Sequence, residues 1–352
     1  MTPLSPPGNE PPEARVTIRD VARLAGVGIK TVSRVINGEP NVSEHTAVRV
    51  RQAITQLRWE PDIRARNLRR ADGRTHTIGL LLGSVSNPFA AEMHRAIEDV
   101  AANRGYAVLA SSHDDDPARE GTAMAAILGR RVDGVILMPI AASQAYLQTD
   151  IDRGLTVVCV DREPSGALIP SIRSDARVAA SVATRHLIRR GHHRIALLHD
   201  DENIWTARER RYGYLDAMRF AGLEIDESLI VGGLSTPELS GAASDRLMRI
   251  QDPPTALVCG NNLITIGAVR TLQRLSLQHD IALVGIDDFD TADLIAPPIT
   301  VVAQRPSQIG RLAADQLFAM IDGTLPRSGP PISVPTDLIE RGSGEIGPGS
   351  SD

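Results

Sequence analysis

Two groups of side chains in this 352-residue sequence have the type and spacing to bind another molecule. The first lies in a short helical pattern over residues 29–36. There Val32, Val35 and Ile36 face inward, leaving Ile29, Lys30, Ser33 and Arg34 on the outward side. Arginine and lysine donors fit the O6 and N7 acceptors of guanine, and an exposed isoleucine meets a thymine methyl. The hydroxyls of Thr31 and Ser33 suit phosphates or base edges. The second group consists of polar residues that follow short apolar runs. The run 156–160 ends at Asp161, 256–258 leads through Cys259 and Gly260 to Asn261, 282–284 leads to Asp287 and Asp288, and 78–82 runs into Ser84–Phe89. Carboxylates that accept from hydroxyls, an amide, and a ring that stacks on an apolar face together suit a hydroxylated small molecule. Taken singly, each Asp or Asn is also an ordinary turn or cap residue.

These groups need scaffolds. Thr17 followed by Asp20 makes an acidic capping box, and Ile18, Val21, Ala22 and Ala25 then mark one buried helical face. Gly26 ends this helix and Val27 plugs the turn. Asn37, Gly38 and Pro40 stop the second helix. Ser43 caps a third, with Ala47, Val50, Ile54 and Leu57 along its inner face. Two short helices around a tight glycine turn, the second presenting a basic face, form a helix-turn-helix; the plainer alternative is a small helical bundle with a solvated basic surface. The string Gly26–Thr31 is not a phosphate loop, because it follows a helical pattern and lacks the third glycine. From Thr77 onward, apolar runs at 78–82, 107–110, 135–138, 156–160, 195–198, 256–258 and 282–284 alternate with amphipathic stretches such as 90–103, 178–189, 208–221 and 264–275. That rhythm implies parallel sheets covered by helices on both faces, an α/β class with two doubly wound subdomains. Ligands of such sheets bind beyond the carboxyl ends of the strands, where the second group of residues lies.

Charge separates the two regions. Residues 15–74 carry 13 basic against 6 acidic side chains, and the remainder carries 25 against 37, within a total of −5. A basic module on an acidic body points to a polyanion partner; on charge alone, non-specific RNA and anionic lipid stay open beside DNA. No apolar run reaches the ~18–20 residues of a membrane span. Residues 1–14 lack the apolar core of a signal peptide and read as a disordered leader, as residues 343–352 read as a disordered tail. Cys159 and Cys259 lie inside apolar runs and make no disulfide framework. The nine histidines show no metal-ligand spacing beyond the adjacent pair His192–His193, and adjacent residues rarely bind one metal well, so no metal and no cofactor is expected. A cytoplasmic protein follows.

The stretch 16–46 contains D-V-A-x-x-A-G-V at 20–27, T-V-S-R-V-I-N at 31–37 and V-S-x-x-T at 42–46. Further along stand S-N-P-F at 86–89, D-G-V-I at 133–136, V-D-R at 160–162, H-L-I-x-x-G-H-x-R-I-A at 186–196, R-x-x-G-Y at 210–214 and V-G-I-D-D at 284–288. In these motifs the chain strongly resembles the lactose/galactose-repressor (LacI/GalR) family of bacterial transcription regulators, over nearly all of 16–342. The resemblance implies an N-terminal helix-turn-helix headpiece over 15–61 and a hinge helix and linker over 62–74. An effector-binding domain over 75–342 would follow, with a type I periplasmic-binding-protein-like fold. Its lobes would exchange chain three times, the first near 75–172 and 303–333, the second near 173–302 and 334–342.

The implied DNA contacts are Thr17, Ile29, Lys30, Thr31, Ser33, Arg34 and Asn37 in the headpiece, with Arg64, Ala65 and Leu68 in the hinge. A-R-N-L at 65–68 matches the hinge pattern, in which paired hinges enter the minor groove and the leucine wedges between base pairs. Without the resemblance, 62–74 reads as a flexible basic linker, since two helical turns alone are unstable in water. The implied effector contacts are Asp161, Arg210, Asn261 and Asp287, with Phe89 lining the first lobe. Two departures stand out. Gly28 replaces the usual hydroxyl residue before the recognition helix, and Asn262 replaces the usual aspartate after Asn261, removing one negative charge beside the pocket.

The expected function is a sequence-specific DNA-binding regulator, a repressor, binding a pseudo-palindromic operator as a homodimer and switched by a sugar or sugar derivative between the lobes. The alternatives are a corepressor-type regulator responding to a nucleobase or sugar phosphate, or a sugar-binding protein or enzyme without DNA function. The enzyme alternative lacks a glycine-rich phosphate turn, a G-x-S-x-G elbow and metal spacing.

The hinge assignment has a direct consequence. Leu68→Ala should weaken operator binding and reduce the bend in the DNA, measured by circular-permutation gel shift, while ligand binding by the 75–342 region stays unchanged. A variant that bends the operator as the parent does would remove the wedge.

Overall fold

The structure, a computed structural model, describes residues 16–36, 39–40, 42–59 and 73–349. The chain divides between Arg74 and Thr75 into two compact units.

The first unit holds α1 (Ile18–Ala25), α2 (Ile29–Ile36) and α3 (Glu44–Gln56). The Asp20 carboxylate accepts from the Thr17 backbone N–H at 3.0 Å and the Thr17 hydroxyl at 2.7 Å, which fixes the start of α1. Gly26 closes α1 in the left-handed region at φ 62°, where glycine costs least. Arg49 of α3 donates to the Ala25 and Gly26 carbonyls and so ties the turn to the third helix. Ser43 accepts from the Thr46 N–H at 3.3 Å and caps α3. Val21, Val32 and Val50, one from each helix, are fully buried at the centre of this small core. In the last turn of α3 the buried residue is Ala53, with Ile54 and Leu57 packed at the margin.

The second unit contains two six-stranded sheets. The first has the order β11-β5-β4-β3-β1-β2, from β1 (Thr77–Leu82), β2 (Ala107–Ser112), β3 (Gly134–Leu137), β4 (Val157–Val160), β5 (Ser171–Ser174) and β11 (Ile332–Val334). The second has the order β12-β10-β9-β8-β6-β7, from β6 (Ile195–Leu198), β7 (Ile230–Val231), β8 (Ala256–Cys259), β9 (Ala282–Ile286), β10 (Thr300–Ala303) and β12 (Asp337–Ile339). The pairings are parallel except β10 with β12. In the first lobe α4 (Pro88–Asn103) and α11 (Pro306–Ile321) cover one face, and α5 (Pro117–Leu128) the other. The short helix α6 (Gln148–Asp152) lies between β3 and β4 in sequence. In the second, α7 (Ala176–Arg189) and α8 (Trp205–Phe220) oppose α9 (Pro237–Leu247) and α10 (Asn262–Leu275). Covering both faces explains why the central strands are unbroken apolar runs. Helices α7 and α8 approach so closely that a Cβ on Gly213 would lie 2.0 Å from the Arg177 carbonyl oxygen. The chain passes between lobes after Ser174, after Ala303 and after Val334.

Strand β5, with the sequence S-I-R-S, is absent from the apolar runs read in the sequence, as are β7, β10, β11 and β12; its serines are buried as strand residues all the same. The expectation of a disordered tail over 343–352 fails for 343–349. Ser343 is buried, donates to the Leu283 carbonyl at 2.6 Å and accepts from the Thr300 N–H at 3.0 Å. The Gly344 N–H reaches the Thr300 hydroxyl at 3.1 Å, and His192 Nε2 donates to the Ile346 carbonyl at 2.8 Å. Glycine and serine here permit close backbone packing, a role with the same composition as disorder. A Cβ on Gly344 would lie 2.9 Å from the Thr300 side chain. Among the described residues, no helix is long and apolar enough to cross a membrane.

Removing the Ser343 hydroxyl strands a buried N–H and a buried carbonyl. Ser343→Ala should therefore cost about 1–3 kcal/mol in denaturant titration; a loss within error would mean that the tail is not held through this hydroxyl.

Candidate functional site

Strands β4 and β9 hold the same place in their sheets, third from the edge, and each is followed directly by an aspartate. Asp161 and Asp287 both adopt left-handed backbone, at φ 64° and 70°. Each donates its N–H to the neighbouring strand, Asp161 to the Ile172 carbonyl at 2.9 Å and Asp287 to the Val302 carbonyl at 3.1 Å. A non-glycine residue in this region costs on the order of 1–3 kcal/mol and marks a place where the surroundings impose the conformation. Both side chains are buried.

Two buried guanidiniums answer them. Arg162 Nε lies 3.6 Å from Asp161, and Arg162 Nη2 donates to Asp115 at 2.6 Å. Arg210, on α8, places Nη2 4.0 Å from Asp287, and Gln304 donates to the other Asp287 oxygen at 2.6 Å. Burial raises the pKa of Asp161 against the pull of Arg162 and Arg210, and that of Asp287 against Arg210 and Gln304. Asp161, Arg210 and Asp287, far apart in sequence, thus share one electrostatic neighbourhood between the lobes. Phe89, nearly buried at the start of α4, lines a cleft of about 630 Å³ together with Asp287, Asp288, Gln304 and Arg341.

Asn261 has a part of its capacity committed already. Its Oδ1 accepts from the Ile264 N–H at 2.8 Å and caps α10, and its Nδ2 donates to Asp200 at 2.6 Å. The neighbouring Asn262 is fully buried and donates across the cleft to Asn87 Oδ1 at 3.0 Å. Arg162, Asp115, Asp200 and Gln304 are absent from the residues singled out in the sequence. Arg162 stands inside the V-D-R motif, and Asp200 is two residues beyond β6, so the strand-end argument applied to 195–198 finds it. Asp115 carries no such signal, since D-D-D at 114–116 reads as a turn. His113 sets that turn: its Nδ1 accepts from the Asp115 N–H at 3.1 Å while Nε2 donates to the Met138 carbonyl at 2.8 Å. Burial lowers the His113 pKa, consistent with the neutral ring this pattern requires.

In the first unit, Ile29, Lys30 and Arg34 are exposed on α2, and Thr31 and Ser33 are half-buried. Arg34 Nε lies 3.8 Å from Glu39, with both side chains half exposed, an arrangement of little energetic weight in water. Thr17 is exposed but its hydroxyl is turned to Asp20. Asn37, Arg64, Ala65 and Leu68 lie outside the described residues.

A helix-turn-helix unit and a two-lobed domain with a polar cleft, carried on one chain, define a ligand-responsive DNA-binding regulator. Residues 17–62 match the family described as bacterial regulatory proteins, lacI family, and residues 75–339 match periplasmic binding proteins and sugar binding domain of LacI family. The chain belongs to the lacI family of bacterial regulatory proteins. It is 34% identical over 334 residues to the ribose operon repressor of Escherichia coli K12, covering 93% of this chain and 99% of the relative. It is similar to the transcriptional regulator CelR in a cellobiose complex, with 30% identity and a TM-score of 0.69 over 94% of this chain and 100% of that one. It also shares the fold of the lac repressor dimer bound to operator, at 24% identity and a TM-score of 0.81, over 94% and 99% of the two chains. The protein is a DNA-binding transcriptional regulator switched by a small-molecule effector, and not an enzyme.

Asp200 gives the cleft a measurable pH response. Burial lifts its pKa from 3.8 to about 6, opposed by Arg210 and Arg162 and reinforced by Asp115. The folded chain holds this proton more tightly than an unfolded aspartate does. Its contribution to stability is therefore full below pH 3.8 and is lost as the pH rises through 6. The melting temperature of the parent relative to Asp200→Asn should climb as the pH falls from about 7.5 to about 5; parallel curves for the two proteins would show that Asp200 titrates normally.

Proposed function

We propose that the effector is a small uncharged sugar, of about the size of ribose, held between the lobes by Asp161, Arg162, Arg210 and Asp287 with Phe89 against an apolar face. One observation carries the reading: among the described residues, the buried Nε–H groups of both Arg162 and Arg210 have no hydrogen-bond partner beside two buried carboxylates. Unsatisfied donors next to unsatisfied acceptor capacity suit hydroxyl groups, which give and receive at once. Support comes from the ribose operon repressor relative, from the cellobiose-bound neighbour and from the sugar-binding description of the matching domain. Asn261 contributes through the remaining hydrogen of its amide.

On the DNA side, a homodimer places α2 of each subunit in successive major grooves of a pseudo-palindromic operator. Lys30 and Arg34 read guanine, Ile29 meets a thymine methyl, and Thr31, Ser33 and Thr17 approach phosphates. Asn37, Arg64, Ala65 and Leu68 complete the contact. The effector biases the lobe arrangement by the difference in its affinity for the two states, and by no more.

Thermal-shift titration tests the ligand class. A sugar at ~100 times its dissociation constant adds ~2.7 kcal/mol of stability, and D-ribose should do so where free nucleobases do not. In electrophoretic titrations, Arg210→Ala and Asp287→Ala should each abolish the sugar's effect on operator binding. Stabilisation by a nucleobase alone would replace the sugar, and variants that respond like the parent would move the pocket elsewhere.

A further inference from the structure

Resting on the reading that a sugar fills this cleft, we propose that Asp200 is a specificity-determining residue: a carboxylate that excludes anionic ligands and keeps the site for neutral, hydroxyl-rich ones. Four carboxylates, those of Asp115, Asp161, Asp200 and Asp287, act on one another or on the two guanidiniums of Arg162 and Arg210 across the cleft. Three of the four stand close to a cation: Asp115 and Asp161 to Arg162, and Asp287 to Arg210. Asp200 does not. Among the described residues its hydrogen-bond partner is the neutral Asn261 amide, at 2.6 Å, and no ion pair holds it.

Its orientation is nonetheless set before a ligand arrives. Asn261 is anchored by the Ile264 N–H at the head of α10, so the amide that holds Asp200 Oδ2 is itself fixed. Among the described residues Oδ1 has no hydrogen-bond partner. The carboxylate stands beyond the carboxyl end of β6 and is bonded to Asn261 beyond the carboxyl end of the neighbouring β8, the edge of the sheet at which ligands of this architecture bind. The fold does not require a charge there. Strand β1 holds in the first sheet the place that β6 holds in the second, and it is followed by Gly83 and Ser84. An anion entering this cleft meets a carboxylate that, among the described residues, no arginine contacts within ion-pair distance, in surroundings where water screens poorly. A sugar hydroxyl meets the same oxygen as an acceptor.

The test compares the full-length parent with Asp200→Asn, and with Asp201→Asn as a control for a general loss of one negative charge. Calorimetry at pH 7.5 measures D-ribose and D-ribose 5-phosphate, and thermal shift measures inorganic phosphate alone. The parent should prefer ribose by about 100-fold or more, and Asp200→Asn should shrink that preference at least about tenfold. Asp201→Asn should leave it unchanged. Inorganic phosphate should stabilise Asp200→Asn more than the parent. An unchanged preference and an unchanged phosphate shift in Asp200→Asn would overturn the proposal. If ribose does not bind the parent, the sugar reading fails, and the phosphate comparison alone decides whether Asp200 screens charge. Should Asp200→Asn lose its folded circular dichroism spectrum, Asp200→Ser carries the same measurements.

Discussion

The structure turns on burying two carboxyl groups beside guanidiniums at the carboxyl ends of parallel strands. Asp161 and Asp287 are held in left-handed backbone by hydrogen bonds to β5 and β10, and their side chains are removed from water. A buried charge is tolerated only when a counter-charge and hydrogen bonds accompany it. Arg162 and Arg210 supply the charge, from two residues beyond β4 and from the second turn of α8. Both guanidiniums then need partners of their own, which is why Asp115 and the Pro139 carbonyl stand beside Arg162. The polarity of the cleft is a consequence of these linked requirements.

The same cleft is where the lobes touch. Ile140, in the loop after β3, packs with Ile204 and Ala207 of the second lobe. The Arg173 guanidinium of β5 lies 4.6 Å from the centre of the Trp205 ring, and Asn262 reaches Asn87. Ile140 is presented by a further buried carboxylate, Glu120, which among the described residues has hydrogen bonds in place of an ion pair. It accepts from the N–H groups of Ile140 at 2.5 Å and Ala141 at 2.8 Å and from the Tyr146 hydroxyl at 2.7 Å. Burial and Glu120 together push the Tyr146 pKa up, so the phenol remains a donor. The lobe contact is thus part apolar and part polar. A contact of this kind is one that a ligand's differential affinity can bias.

The amide pair Asn87–Asn262 joins the amino ends of α4 and α10. Asn87 also accepts from the Phe89 N–H at 3.1 Å, so the residue that starts the helix bearing the aromatic ring is the one that bridges the lobes. An aspartate at 262 could not donate to Asn87 Oδ1 when ionised. The departure from the family pattern at this position therefore changes the lobe contact as well as the charge of the cleft.

Several features follow from the sequence alone. The spacing of Val21, Val32 and Val50 specifies three helices sharing one core, because a single helical period decides which face is buried. The unbroken apolar runs that became β1, β3, β4, β6, β8 and β9 specify parallel strands covered on both sides. Motifs then narrow the family and point to Asp161, Arg210 and Asp287. Other features rest on contacts between residues far apart in the chain. The serines of β5 lie in a strand because β4 and β11 pair with it, although local hydrophobicity gives no sign of one. The tail from Ser343 is ordered by the hydroxyl of Thr300 and the ring of His192. Arg162, Asp115 and Asp200 join the cleft because three separate strand ends converge. Local pattern determines which face of an element is apolar, but which charges end up without water depends on the assembled sheets, since desolvation and Coulomb interaction are properties of the packed structure and not of the chain order.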